Sequence, residues 1–187
     1  MTVDVEFRRT AVDALRSVAK HLAFSLGDEW EVRISGEEHE FRLPFCLVAW
    51  VGPGVYEGSR EYPMVTRPMQ IDCYPIPPDS VEAARLRSEE VEGLLFDALR
   101  VGAGLSHPER IPFYNYAGIE LGQSTSEQRL GNDFLRIVPS SLGIEPVADP
   151  TDDRWIRVVA SMRVSWRRVG RQIRGKPVES VLIQYGS

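Results

Sequence analysis

Cysteine and histidine are scarce in this chain, and long apolar runs are missing. The 187 residues include two cysteines, Cys46 and Cys73, and three histidines. Because no Cys-x-x-Cys pair occurs, a zinc ribbon and a thiol redox motif are excluded. Both cysteines stand in apolar runs, which favours buried free thiols over a disulfide or a reactive thiol. No segment reaches the ~18 apolar residues that cross a bilayer, and residues 1–9 contain no signal-peptide core. We therefore expect no membrane partner and a protein that starts in a cytoplasm.

Motifs for catalysis and for metal or nucleotide binding are also missing. His21, His39 and His107 do not show the close spacing of metal ligands. The glycines of 52–58 miss the dinucleotide pattern G-x-G-x-x-G, and residues 122–126 fail the nucleophile motif G-x-S-x-G at its last position. We expect no catalytic residue, no cofactor and no metal site. A small enzyme whose site assembles only in an oligomer is the alternative, and convergent histidines with a carboxylate would favour it.

Lysine is nearly absent, and the positive charge that remains is unevenly placed. The 187 residues carry a net charge of −5. Residues 163–187 hold six basic side chains and one acidic side chain, a net charge of +5, which leaves −10 for residues 1–162. An acidic body followed by a basic segment favours charge-complementary contact with a neighbour. A solvated tail and nucleic-acid binding are the alternatives for this segment, and six charges on an acidic protein are a weak nucleic-acid footprint.

Apolar periodicity predicts two helices and several strands. Residues 10–26 and the stretch from Asp79 to Leu99 have apolar stripes at helical spacing, and Asp79 with Glu82 resembles a capping box. Alternation of apolar and polar residues predicts strands at 30–34, 41–51, 69–74, 134–138 and 156–167. The alternation is clearest at 156–167. Because no βα unit repeats, we expect an α+β fold: a small mixed or antiparallel sheet of about four to five strands with two helices packed on one face.

Aromatic side chains cluster in the segments that we predict to be loops. Residues 1–187 form a single predicted domain, with a flexible loop at 52–67, a loop-rich insertion at 103–150 and a C-terminal arm at 168–187. Exposed aromatic and arginine side chains are typical of contact surfaces, although a local satellite core is an equal alternative for the aromatic cluster at 112–116. The candidate interface residues are Tyr56, Tyr62, Phe113, Tyr114, Tyr116, Arg163, Arg167, Arg168, Arg171 and Arg174.

Three segments resemble the tail terminator proteins of long-tailed bacteriophages, within the wider group of small head–tail joining proteins. The first is Leu43–Gly52, an apolar strand that is entered through Leu-Pro-Phe and left through glycine. The second is Thr66–Tyr74, followed by a helix with alanines near its start and Ala98-Leu99 at its end. The third is a late strand that begins at Trp155 and carries arginines, which also resembles the pattern of these proteins. Together these segments cover about half of the chain, and they match as patterns of residue type.

The resemblance implies a structural role in the virion, at the junction of tail and head, after assembly in the host cytoplasm. Such proteins form a ring, typically a hexamer, that caps the tail tube, stops its polymerisation and provides the surface for head–tail joining. The implied partners are further copies of the chain, the tail tube protein and a neck or head-completion protein. DNA would pass through the lumen without specific binding, since acidic walls repel phosphates. Reversing the charges of Arg167, Arg168 and Arg171 would then weaken assembly.

Three alternatives compete with this interpretation, one within phage particles and two outside them. Within phage particles, the chain fits a neck or head-closure connector, which the length and number of tails in a knockout would distinguish. Outside them, a bacterial binding module is possible in addition to the oligomeric enzyme. A stable monomer with a deep apolar pocket would favour the binding module.

Overall fold

The computed structural model describes residues 11–37, 40, 42–58, 63–99, 110–115, 128–138 and 141–167. These residues form two helices and eight strands in an α+β arrangement. In chain order the elements are α1 (Ala11–Leu26), β1 (Glu31–Ile34), β2 (Phe45–Trp50), β3 (Val55–Glu57), β4 (Met64–Tyr74), α2 (Val81–Leu99), β5 (Arg110–Asn115), β6 (Gln128–Ile137), β7 (Gly143–Ala148) and β8 (Ile156–Arg167). No helix within these ranges is both long enough and apolar enough to span a bilayer.

Helix α1 has the extent that its apolar spacing predicts. Leu15, Val18, Leu22 and Leu26 recur at three- and four-residue spacing, and all four are buried. The helix ends before Gly27, whose φ of +88° is the left-handed conformation that glycine adopts at little cost. The amide of Trp30 donates to the carbonyl of Gly27, which closes the turn into β1.

Helix α2 begins one residue later than the capping pattern at Asp79 predicts. The Ser80 hydroxyl accepts a hydrogen bond from the amide of Ala83 at 3.2 Å, so Ser80 is the N-cap. Either residue type can cap a helix, and sequence alone did not distinguish the two neighbours. The predicted stripe is buried at Ala84, Val91, Leu95, Ala98 and Leu99, whereas Leu94 keeps 37% of its surface exposed.

The sheet is larger than predicted. Its strand order is β1-β2-β4-β8-β6-β5, with β3 added to β4 and β7 added to β8, and only β1 and β2 are parallel. Eight strands therefore replace the expected four to five. Strand β3 lies in the predicted loop 52–67, and β5, β6 and β7 occupy much of the predicted loop-rich segment 103–150. The glycines and prolines of these segments conceal the alternation. The strands form because pairing partners are available: β4 for β3, β8 for β6 and β7, and β6 for β5.

Strand register defines an inner and an outer face. Val48 on β2 is opposite Ile71 on β4, which is opposite Ala160 on β8. These three residues, and the residues two positions away from them on each strand, pack with both helices in one core cluster. The face of the sheet that carries them is the inner face. Helix α1 contacts β1 and β5, the two ends of the strand order, so the sheet curls around this helix.

Candidate assembly surface

Three exposed arginines surround Ser165 on the outer face. Arg136 of β6 is directly opposite Ser165 of β8, and Arg163 and Arg167 lie two residues to either side of Ser165 on the same strand. Diagonal neighbours of this kind lie ~7–8 Å apart. Within the described residues, no carboxylate forms an ion pair with any of the three. We call Arg136, Arg163 and Arg167 the basic patch.

Hydrogen bonds to the backbone hold the basic patch in place. The amide of Arg163 donates to the Ser141 hydroxyl at 3.0 Å, and this hydroxyl donates to the carbonyl of Val138 at 2.6 Å. The amide of Val138 in turn donates to the carbonyl of Arg163 at 2.8 Å. Val138 and Ser141 are therefore both hydrogen-bonded to the backbone of Arg163 on β8.

An acidic groove lies on the opposite side of the sheet, between α2 and β7. Glu89, Glu92 and Asp97 contribute carboxylates, and the rest of the lining is Gly93, Phe96, Leu142 and Ile144, around a volume of about 490 Å³. The five α2 positions recur at helical spacing and so share one side of the helix. Ile144 is opposite the inner-face residue Ala160, which places the groove on the helix side. We call this feature the acidic groove.

The carboxylates of the acidic groove have no basic partner among the described residues. Arg87, which is on the same helix, pairs with Glu90 at 3.0 Å and with Glu29 at 3.7 Å. Glu89, Glu92 and Asp97 form no such pair in the described part of the chain. The groove therefore combines uncompensated negative charge with apolar walls, and it fits a surface that offers basic and apolar groups.

The β3–β4 hairpin forms an exposed corner beside the basic patch. Glu57 of β3 is opposite Met64 of β4, which is opposite Arg167 of β8. Tyr56 and Met64 keep 58% and 39% of their surfaces exposed. The predicted interface residues Tyr56, Arg163 and Arg167 thus lie at the same end of the sheet, but Tyr56 is opposite the inner-face residue Val65 and so lies on the other face from the two arginines. Trp50 and Trp166 stack behind this corner with ring centroids 5.5 Å apart.

The structure describes the backbone of two further predicted interface residues, and it places them on another strand. Phe113 and Tyr114 belong to β5, an end strand of the sheet, so the prediction of an aromatic loop at this place is wrong. Pairing of Pro112 with Phe134 of β6 makes the segment a strand despite its proline. Five further predicted residues lie outside the described residues: Tyr62, Tyr116, Arg168, Arg171 and Arg174.

Sequence reasoning missed Arg136 and the acidic groove. Arg136 alternates with Leu135 and Ile137, both buried, so its outward position was readable from the predicted strand 134–138. What the alternation does not give is the pairing of β6 with β8, which places Arg136 between Arg163 and Arg167. The groove needs the contact of α2 with β7, and β7 was not predicted.

A second cleft lies at the far end of β4, β7 and β8. It encloses about 310 Å³ between Tyr74, Trp155 and Arg157, together with neighbouring residues. The guanidinium of Arg157 lies 3.3 Å from both the Tyr74 hydroxyl and the Asp72 carboxylate. The hydrogen bond to Tyr74 raises the pKa of Arg157. Arg157, Tyr74 and Asp72 therefore satisfy one another's polar groups, and the described lining contains no serine, threonine, cysteine, histidine or lysine.

His21 has a structural role in the contact between the two helices. Its Nε2 lies 2.7 Å from the carbonyl oxygen of Ala98, which only accepts, so Nε2 carries the proton and donates. Burial lowers the pKa of His21, and the hydrogen bond to Ala98 opposes this effect only in part. His39 and His107 lie outside the described residues. Within the described residues, no group of three or more histidine, cysteine, aspartate or glutamate side chains could hold a metal ion.

A pH dependence of stability follows from His21. Because its folded pKa is lowered, the unfolded chain binds more protons below the ordinary value of 6.5. Stability is therefore lost as pH falls from 6.5 towards the folded pKa. We expect His21→Gln, whose amide can still donate to Ala98, to lose less stability than the unaltered protein between pH 7 and pH 5. Urea unfolding at both pH values measures this difference, and equal losses in the two proteins would contradict the prediction.

No protein-family profile matches the chain, and no curated protein matches it.

Proposed function

We propose that the chain is a self-assembling structural subunit that acts as a tail terminator of a long-tailed bacteriophage. The observation that carries the proposal is the separation of the basic patch and the acidic groove on opposite sides of one sheet. A head-to-tail interface requires two different patches on each subunit that complement each other. Patches that belong to opposite sides of a rigid sheet cannot meet within one subunit, so they are available to neighbouring copies.

Closure of such contacts gives a ring. A head-to-tail interface rotates each subunit by the same angle relative to the one before it. If these rotations bring the last subunit back to the first, the product is a cyclic oligomer, and otherwise it is a filament. The hexamer that the family resemblance implies is one such closed ring. The basic segment after Arg167 adds four basic residues by sequence, and in this proposal it extends the contact that the basic patch begins.

The proposed partners meet the ring at its two ends. One end would contact the last tail tube ring and stop its growth, and the other would contact a neck or head-completion protein. The hairpin corner is the candidate for one of these contacts, because Met64 offers exposed apolar surface directly opposite Arg167, and Tyr56 offers more on the other face of the sheet. In this role the protein belongs to the virion at the tail–head junction, and DNA passes through the ring without specific contacts.

Deletion of the gene from a phage that encodes the chain tests this function. We expect electron microscopy to show tails that are overlong and variable in length and that are not joined to filled heads. Expression of the chain from a plasmid should restore tails of one length. Tails of normal length that remain unjoined would contradict a terminator and favour a head-closure connector. Normal, joined particles would contradict any role at the junction.

A further inference from the structure

We propose that Cys46 and Cys73 are a modification site, at which hydrogen peroxide forms a disulfide across β2 and β4. Cys73 donates a hydrogen bond to the sulfur of Cys46, and the two Sγ atoms are 3.3 Å apart. The residues are directly opposite each other in the antiparallel register. This inference does not depend on the proposed function.

The hydrogen-bond pattern of the strands places the two cysteines in the favourable kind of pair. The amide of Val51 donates to the carbonyl of Pro68 at 3.1 Å, which marks Val51 and Pro68 as a hydrogen-bonded position. Hydrogen-bonded and non-hydrogen-bonded pairs alternate along an antiparallel ladder. Counting from Val51 along β2, Cys46 and Cys73 form a non-hydrogen-bonded pair, in which opposite side chains are closest.

Only a small movement of the two sulfur atoms is needed to form the disulfide bond. A disulfide requires Cα atoms ~4.4–6.8 Å apart and an S–S bond of ~2.05 Å. The Cα separation of a non-hydrogen-bonded pair, ~4.5 Å, lies within that range. The sulfurs therefore approach each other by a little more than 1 Å, about the movement of a side-chain rotation, and the strands stay paired.

Burial determines which oxidant reaches the pair and how fast. Both cysteines are free, and both are fully buried on the inner face. The hydrogen bond with Cys73, followed by burial, raises the pKa of the Cys46 thiol, so little thiolate exists at neutral pH. We therefore expect slow oxidation that follows local opening of the strands and a small oxidant such as hydrogen peroxide.

The reaction balances with peroxide as the only oxidant. One cysteine loses its thiol proton and attacks a peroxide oxygen, which gives a sulfenic acid and releases hydroxide. The second thiol then attacks the sulfenic sulfur, the S–S bond forms, and the hydroxyl leaves as water. Overall, two thiols and one hydrogen peroxide give one disulfide and two waters.

The disulfide would connect two strands that are 27 positions apart in sequence and enclose β3. A covalent link of this length restricts the unfolded chain and stabilises the folded one. Because both sulfurs already face the core, the outer face and the basic patch keep their arrangement. We expect oxidation to raise the melting temperature while assembly is unchanged.

Intact-protein mass spectrometry after treatment with hydrogen peroxide tests the proposal. We expect a loss of about 2 Da, a disulfide-linked peptide pair containing Cys46 and Cys73, and a melting temperature higher by roughly 5 °C or more. Dithiothreitol should reverse all three changes. The control variants Cys46→Ala and Cys73→Ala should show neither the 2 Da loss nor the rise.

Several results would overturn the proposal. These are two free thiols that react with iodoacetamide after peroxide treatment and unfolding, disulfide-linked dimers on a non-reducing gel, or oxygen addition to each cysteine without the crosslink. Since all of these are measured on the unaltered protein, the conclusion holds even if an alanine variant fails to fold.

Discussion

The variant that carries both Arg163→Glu and Arg167→Glu is expected to remain folded but to lose ring assembly at micromolar concentration. Both side chains are exposed on the outer face, so their replacement leaves the core unchanged. In the proposed interface each reversed charge faces the acidic groove of a neighbour, and like charges across an interface cost several kcal/mol when they are desolvated. For partly solvated positions we expect association weaker by roughly 100-fold, which is about 2.7 kcal/mol.

A matched control separates the position of the charges from their number. Arg33→Glu combined with Arg154→Glu changes the net charge equally, and both arginines lie outside the basic patch. Each is paired locally, with Glu31 and Asp152 respectively, and partly exposed pairs of this kind contribute ~1 kcal/mol or less. Native mass spectrometry should show rings for the control variant and monomers for the variant of the basic patch.

A mixture of two reversed variants tests whether the two surfaces meet. Glu89→Arg combined with Glu92→Arg makes the acidic groove basic, and this variant alone should also fail to assemble. In a mixture with the Arg163→Glu and Arg167→Glu variant, the two altered surfaces carry opposite charges on different chains, and so do the two unaltered surfaces. We expect rings in which the two variants alternate. No recovery in the mixture would show that the basic patch and the acidic groove do not contact each other.

Leu22→Ala is expected to lower the free energy of unfolding by about 3 kcal/mol, within the usual range for buried leucines. Leu22 is fully buried on α1, inside the curled sheet, and it is one of the largest side chains that solvent does not reach. The backbone around it is fixed by strands at both ends of the sheet order, so the cavity collapses only in part. In a chain of this length the melting temperature should fall by roughly 6–12 °C.

Phe24→Ala is the control on the same helix. This substitution removes a larger apolar group than Leu22→Ala does, but 91% of the surface of Phe24 is already exposed to solvent. We expect a change of less than about 0.5 kcal/mol. Urea unfolding of the two variants measures the contrast, and similar losses in both would mean that α1 does not pack as described.

The sequence was most informative where one period dominated a long segment. Strand β8 follows six apolar residues at period two, and the predicted range 156–167 matches the structure. Helix α1 likewise follows a stripe that four leucine and valine positions define. Strand β3 has only three residues, all exposed, so it carries no burial pattern to detect. It forms because Met64, Val65 and Thr66 of β4 offer free pairing groups.

The candidate surface was partly readable from sequence for the same reason. Arg163 and Arg167 alternate with buried residues of β8, and so their exposure follows from the period. Glu89 and Asp97 of α2 lie off its apolar stripe, so their exposure follows from the helical period. Their relation to β7 is a contact between elements about 50 residues apart, and local periodicity carries no information about such contacts.

The position of α1 within the curled sheet has a consequence during protein synthesis. This helix leaves the ribosome early, but it packs against β5, which is made much later. At ~5–20 residues per second, the apolar stripe of α1 waits roughly 4–18 s for the end of β5. We therefore expect nascent chains of this protein to expose a helical apolar surface to chaperones until β5 has been translated and can cover it.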